Sequence, residues 1–357
     1  TEPHLGVILE YSGQVREEAP KLRTAVTVSS GRPASGRCVL GVIGSGNFAR
    51  TVLLPRLKKV DRVDLHTLVT QRGISAEHSQ ETFGFAHADT DLDAIFGNPE
   101  INAVLITTPH STHAALTARA LEAGKSVLVE KPLALDRSEL NDVVRARLNS
   151  DAFLQVGFNR RFAPLSVQAR DRLAAAGGTK YILLRVNAGQ LPEESWQNAP
   201  EEGHGRILGE VCHFIDLASF LVGADIQSVQ ANAAAVRQGA CDDLTVSLNF
   251  SDGSLATVAY TALGDTAYSK ELIEAFAGGT VININDFRSM TVTAGGHESR
   301  SGRFSEQDKG HAAELEAFVD AVATGGQAPA DEAEIVQSSL ATIAVLESLQ
   351  QGGPIDL

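Results

Sequence analysis

The chain has 357 residues, 43% of them hydrophobic and 21% charged, enough for two domains that each bury an apolar interior. Its formal net charge of -14 argues against a nucleic-acid binder, which needs Lys and Arg to neutralise phosphates and release counterions, and against an anionic membrane surface. No apolar run approaches the roughly 20 residues that cross a bilayer, and the start Thr1-Glu2-Pro3-His4 lacks the basic and apolar regions of a signal peptide, so a cytoplasmic enzyme is expected.

Residues 1–36 combine a short apolar run, Leu5–Leu9, with a Ser/Gly/Pro-rich stretch over Val28–Gly36 that has the composition of a linker. The chain starts on Thr rather than Met, and this extension is expected to be the end of something upstream. The three cysteines, Cys38, Cys212 and Cys241, are odd in number and widely spaced, which predicts free thiols rather than a disulfide framework.

From Cys38 onward, short apolar runs alternate with segments of helical period, the pattern of parallel βαβ units. Strands are predicted at Val39–Ile43, Val63–Val69, Ala103–Ile106 and Val127–Val129. Helices are predicted at Asn47–Lys58, Ala76–Phe83, Thr112–Ala123 and Arg137–Leu148. Residues 37–157 therefore read as a doubly wound, dinucleotide-binding (Rossmann) domain of the α/β class. Over 158–357 the rhythm changes. Longer strands follow one another at Lys180–Asn187, Ile226–Arg237, Leu244–Phe250, Leu255–Thr261, Leu272–Ala277 and Val281–Ile284, with helices near Pro164–Ala176, Val211–Leu221, His311–Ala323 and Glu332–Gln350. This predicts an α+β domain with a large, open, mostly antiparallel sheet for substrate binding and oligomerisation, its last helix packing back on the first domain.

The first strand runs into Gly44-Ser45-Gly46-Asn47-Phe48-Ala49, a GxGxxA pattern at a strand-to-helix junction. The first glycine permits the tight turn, the second lets a pyrophosphate approach the backbone, and Ala49 allows the helix to pack closely on the strand. The ribose-binding position should follow about 20 residues later, where an acid selects NAD and a basic residue accommodates the extra phosphate of NADP. Val69-Thr70-Gln71-Arg72 stands there. No acid is present, and Thr70 with Arg72 suits a phosphate, so the cofactor is read as NADP or NAD with a lean to NADP. Two further segments end parallel strands, where open α/β sheets bind their ligands: Thr108-Pro109-His110 with His113, and Glu130-Lys131-Pro132.

The runs GVIGSGNFA, TPHSTHAALTARALEAGKSVLVEKPLAL and GFNRRF, in this order, resemble the Gfo/Idh/MocA oxidoreductases over about residues 38–350. The resemblance implies hydride exchange between a nicotinamide and a secondary alcohol or ketone carbon of a sugar, nucleotide sugar or cyclitol. It places Lys131 against the reacting oxygen and the nicotinamide ribose, where an ammonium stabilises developing charge. It makes His213 the acid/base, a role that suits an imidazole.

If the helix begins near Glu210, the spacing sets Glu210, His213 and, less closely, Asp216 on one face. The family's usual pattern has an Asp four residues before the His. Here Gly209 occupies that position and Glu210 lies three before, so either Glu210 takes over the orienting role or its carboxylate is aimed elsewhere. The Gly-Glu-x-Cys-His run, with Trp196 ahead of it, resembles a subgroup in which the family's fold is the C-terminal half of a two-part protein.

Asn159, Arg160 and Arg161 follow the strand that leaves the first domain. Asn159, Arg161, Trp196 and Asp216 are taken as substrate-binding candidates, with Arg161 preferred to Arg160, while an Arg bracing the domain interface is the competing reading. His204, Glu210, Cys212 and His213 are all zinc-ligand types. Adjacent helical residues, however, point about 100° apart, and no metal is expected. A homo-oligomer through the second sheet is expected, because large sheets seldom leave an apolar face open. The competing class is a non-catalytic NAD(P)-binding sensor or scaffold on the same fold.

Overall fold

The computed structural model describes residues 35–71, 79–190, 199, 202, 205–234, 242–302 and 306–357. The apolar runs of the first part become parallel strands because most are buried on both faces. β1 (Cys38–Ile43), β4 (Ala103–Ile106), β5 (Ser126–Val129) and β6 (Leu154–Val156) are almost wholly buried, and β2 (Val63–Val69) and β3 (His87–Asp89) complete the sheet. The order is β3-β2-β1-β4-β5-β6 with every pairing parallel. Strand order reverses between β1 and β4, and the crevice at such a switch point is where doubly wound sheets bind ligands.

Helices cover both faces of this sheet. On one lie α3 (His113–Glu122) and α4 (Arg137–Leu148), joined by Ile335 and Ile343 from the last helix. On the other, a π-helical turn over Ala49–Leu53 runs into α1 (Leu54–Leu57), which packs with Leu315, Phe318 and Val319 from near the end of the chain. A short helix, α2 (Asp93–Phe96), buries Ile95 against β1. A 3-10 turn over Asn159–Phe162 then leads into α5 (Pro164–Ala176).

The second sheet has nine strands: β7 (Lys180–Asn187), β8 (Ile226–Ala233), β9 (Leu244–Phe250), β10 (Leu255–Thr261), β11 (Glu271–Ala277), β12 (Thr280–Asn285), β13 (Ser289–Ala294), β14 (His297–Ser301) and β15 (Ile355–Asp356). Their order is β14-β13-β12-β11-β7-β10-β9-β8-β15, antiparallel except where β7 pairs with β10. Strict alternation, as in Leu244–Phe250, buries one face beneath α5, α6 (Cys212–Val222) and α8 (Glu332–Gln351). The other face leaves Tyr181 and Leu255 exposed. Ahead of α8 in sequence lies α7 (His311–Thr324).

The sheets are joined through the end of the chain. The Glu332 carboxylate accepts from Arg147 on α4 (2.7 Å to Oε2) and from the backbone N–H of Leu154 on β6 (2.7 Å to Oε1). Glu347 accepts from Arg137 at 2.6 and 2.8 Å.

Several elements differ from expectation. β3, α2, β13, β14 and β15 were not anticipated: β3, α2 and β15 are short, β14 lacks an apolar face, and β13 offers the core only Met290 and Val292. The strand expected over Ile226–Arg237 is described as far as Ala233, and 235–241, with Cys241, lie outside the described residues, as do 1–34 and 72–78. Among the described residues no helix is long and apolar enough to cross a membrane, and Cys38 and Cys212 are free and buried.

Candidate active site

A cleft of about 1170 Å³ opens over the carboxyl ends of β1, β4 and β5, and its far wall comes from the second domain. The Gly44–Ala49 loop forms one end. Gly44 has φ +96°, and a Cβ there would stand 2.8 Å from the Thr107 carbonyl oxygen, so only glycine fits between these strand ends. Gly46 is the opposite case: nothing lies within 4 Å of where its side chain would begin, leaving the backbone open to a bound group. That opening permits the close backbone approach that a dinucleotide's pyrophosphate makes at such a strand-to-helix turn. Asn47, Phe48, Thr70, Gln71 and Thr90 line the same end.

The middle of the cleft is built by the segment after β4. His110 donates through Nδ1 to the Glu202 carbonyl at 2.9 Å, and Ser111 Oγ donates to the Glu202 carboxylate at 2.9 Å. Burial, then Lys131, lowers the His110 pKa to about 3. His113 lies between two carbonyls, Pro132 at 2.8 Å from Nδ1 and Thr108 at 2.9 Å from Nε2, tying the β4 loop to the β5 loop. A neutral imidazole donates to one of them at a time.

Lys131 and His213 both line the cleft. Lys131 Nζ donates to the Gly209 carbonyl at 2.6 Å, bridging from the first sheet to the helical segment that carries His213. The Lys131–Pro132 peptide is cis. His213 is 7% exposed and lines the cleft, its ring edge-on to Phe158, and its Nδ1 has no hydrogen-bond partner. Burial, then Arg160 and Lys131, with smaller contributions from His311 and Lys309, hold its pKa well below the ordinary value of 6.5.

Glu210 lines the cleft, but its carboxylate is aimed away from His213. A π-helical turn over Ile207–Val211 precedes α6 and changes the angular step from residue to residue. Glu210 instead accepts from the Tyr260 hydroxyl and from Lys270, and Arg206 donates to the same hydroxyl at 3.1 Å. Burial opposes its ionisation, yet Lys270, Tyr260 and Arg206 outweigh burial and hold its pKa below the usual carboxylate value. The shared face expected from helical spacing therefore does not form a Glu210–His213 contact.

The two arginines also differ from expectation. Arg160, not Arg161, lines the cleft beside Asn159. It donates to both oxygens of Glu271, at 3.0 and 2.8 Å, and Lys309 donates to the same carboxylate at 2.6 Å. Burial raises the Glu271 pKa, but these two cations overcome it and bring it down to about 2. Arg161 and Asp216, both expected to touch substrate, face each other instead in a buried pair with Nε to Oδ2 at 3.0 Å, and neither lines the cleft.

Sequence reasoning set Arg160 behind its neighbour and missed Lys309 and His311, yet Arg160, Lys309 and His311 line the cleft. Lys309 and His311 lie about 150 residues further along, and the only signal was the helix start near His311. Arg72, Trp196 and His204 lie outside the described residues. Among the described residues no group of three or more His, Cys, Asp or Glu side chains converges as a metal site.

Two family models match the chain. Residues 39–158 match an oxidoreductase family with an NAD-binding Rossmann fold, and residues 175–280 match the GFO/IDH/MocA C-terminal domain. Myo-inositol 2-dehydrogenase of Thermotoga maritima is 25% identical over 71% of this chain and 77% of its own length. The 1,5-anhydro-D-fructose reductase of Ensifer adhaerens is 26% identical over 87% of this chain and 96% of its own. A levoglucosan dehydrogenase solved with NADH and levoglucosan superposes with a TM-score of 0.80 at 21% identity, covering 90% of this chain and 99% of that one, a likeness of fold.

Proposed function

The chain belongs to the GFO/IDH/MocA family of oxidoreductases, and we propose that it interconverts a secondary alcohol and a ketone on a sugar, nucleotide sugar or cyclitol with a nicotinamide dinucleotide. The observation that carries this reading is the bridge from Lys131 to Gly209, which brings the ammonium of one domain and His213 of the other to one end of a cleft whose other end is the open glycine loop. Relatives named for inositol, anhydrofructose and levoglucosan support the substrate class.

The cofactor, when bound, supplies or accepts the hydride. Gly44, Gly46, Asn47 and Phe48 hold its phosphates, while Thr70 lies at the ribose end. Thr108, Pro109, His110, His113 and Glu130 line the path towards Lys131. The absence of an acid in Val69-Thr70-Gln71 favours NADP over NAD.

His213, neutral at working pH, takes the hydroxyl proton as an alcohol is oxidised and returns it as a ketone is reduced. Lys131 stabilises negative charge on that oxygen. Glu210, held ionised by Lys270 and Tyr260, accepts from a neighbouring hydroxyl of the substrate. Asn159 and Arg160 supply donors on the opposite wall. The open face of the second sheet, with Tyr181 and Leu255 exposed, is read as the contact between copies of the chain.

Titration with NADH and NADPH, followed by turnover of Lys131→Ala on a panel of sugars, cyclitols and nucleotide sugars, tests the proposal. Cofactor binding should survive, and turnover should fall by about 10²–10³-fold. Turnover unchanged in Lys131→Ala would refute the assignment, and cofactor binding without turnover in either protein favours a sensor.

A further inference from the structure

The wall that Asn159 and Arg160 form is continued by a residue from much later in the chain. Lys309 also lines the cleft, and Arg160 and Lys309 donate to the same oxygen of Glu271, Oε1, at 2.8 and 2.6 Å. A guanidinium and an ammonium that share one acceptor lie within two hydrogen-bond lengths of each other. The arrangement is braced by the backbone. Asn159 Nδ2 donates to the Lys309 carbonyl at 2.7 Å. Gly310 has φ +88°, and a Cβ there would fall 2.3 Å from the Asn159 carbonyl oxygen and 2.5 Å from the Ala163 nitrogen. Only glycine lets the start of α7 close onto the 3-10 turn, and so segments 150 residues apart deliver Arg160 and Lys309 to one spot.

The charges at that spot do not balance. Glu271 is 0% exposed and Arg160 6%, yet this one carboxylate answers two cations and leaves one positive charge in excess at the cleft wall. A buried charge is costly unless it is paired, and Arg161, one residue on, has both Asp216 and Glu334. The other acids nearby are engaged. Glu210, the second carboxylate acting on Arg160, is held by Lys270 and Tyr260. Asp308 is exposed and accepts from the Gly310 N–H at 2.8 Å, and Glu130 adjoins Lys131. Donors, by contrast, are left over. Arg160 uses Nε and Nη2 on Glu271, while its Nη1 has no hydrogen-bond partner among the described residues. Lys309 has three N–H donors, and Glu271 takes one.

We propose that Arg160 Nη1 and Lys309 form a subsite for a carboxylate carried by the substrate, so that the ring oxidised or reduced beside Lys131 and His213 is that of a sugar acid or a carboxylated cyclitol. This rests on the reading of the cleft as a dehydrogenase site. One carboxylate oxygen accepts from each cation, a pair of charge-assisted bonds. A monoanion cancels the excess charge, whereas a phosphate dianion overshoots it, which favours a carboxylate. The subsite also lies next to the acid/base. The Arg160 guanidinium stands 4.9 Å from the ring of Phe214, the residue after His213, and the His213 ring is 6.3 Å from that of Phe158, two residues before Arg160.

The test is calorimetric titration of the full chain, saturated with NADPH or NADH, using D-glucuronate and D-galacturonate, their uncharged methyl esters, D-glucose, D-galactose and D-glucose 6-phosphate. Each acid should bind about tenfold or more tightly than its ester and its neutral sugar, the worth of one hydrogen bond to a charged group. Lys309→Met should remove that margin, and Lys309→Arg, which keeps the charge, should retain it. Acid bound no more tightly than ester, a margin that survives Lys309→Met or is lost equally in Lys309→Arg, or glucose 6-phosphate bound more tightly than glucuronate overturns the carboxylate subsite. Cofactor bound with none of the sugars or acids binding overturns the subsite alone, whereas failure of both NADPH and NADH to bind overturns the dinucleotide reading as well.

Discussion

Arg161→Met is expected to damage stability rather than catalysis. The guanidinium donates two bonds to Asp216, whose side chain is 0% exposed, so the substitution leaves a carboxylate buried with its counter-charge gone. Breaking a buried pair from one side costs about 3–5 kcal/mol. The additional contact to Glu334 at 3.2 Å adds little, since that carboxylate is 38% exposed and water screens it. Replacing both members, as in Arg161→Met with Asp216→Leu, removes the orphaned charge and should recover about 1–4 kcal/mol of that loss. Urea denaturation of the wild type, the two single variants and the double variant closes the cycle. Because neither residue lines the cleft, KM for cofactor and substrate should stay within about twofold of wild type in the folded fraction, the size of a change without a lost contact. An Arg161→Met variant of undiminished stability with a greatly raised substrate KM would refute this reasoning and restore Arg161 to the substrate.

His213 sets the next expectation. Its pKa lies well below 6.5, so the proton leaves at low pH and the neutral, base-competent ring persists through the neutral range. His213→Gln should lower alcohol oxidation by about 10²–10⁴-fold without loosening the cofactor; an acid limb in kcat/KM at or above pH 6.5 that disappears in the variant contradicts the assignment. The two glycines of the loop should separate by thermal denaturation and NADH titration. Gly44→Ala forces a strained φ and drives a methyl to 2.8 Å from the Thr107 oxygen, for a loss of about 2–5 kcal/mol. Gly46→Ala meets nothing within 4 Å, so its stability should move by less than about 0.5 kcal/mol while cofactor affinity falls about tenfold or more. A Gly44→Ala protein as stable as wild type would remove the steric argument.

The first sheet was legible because its strands are buried on both faces and short apolar runs have few other uses, as Ala103–Ile106 and Ser126–Val129 show. The glycine loop and the Lys131 segment were legible because their chemistry is written in contiguous residues. Less legible was the direction of a side chain, as opposed to its identity. Arg160 and Arg161 are neighbours of the same type, and a 3-10 turn sends one to the cleft and the other into the core. The aim of Glu210 depends on a π-helical turn that no composition announces, and on Tyr260 and Lys270, which lie 50 and 60 residues away. Glu271 was read as lying just outside its strand, whereas it is the buried anion that holds Arg160 and Lys309. Such partners are chosen by the packing of two domains, which local periodicity does not encode.

The position of α8 also bears on the order in which the molecule is made. The N–H of Leu154 on β6 finds its acceptor in Glu332, 178 residues later, and Arg137 and Arg147 on α4 wait for Glu347 and Glu332. A ribosome delivers the chain from its N-terminus at about 5–20 residues per second, so the glycine loop emerges long before its surroundings can settle. The last strand of the first sheet keeps an unmatched donor until residue 332 has been made. A nascent chain can hold the nucleotide-binding crease early, yet the wall that faces it locks only when α8 arrives, so products truncated before α8 would carry the recognition sequence without the finished pocket.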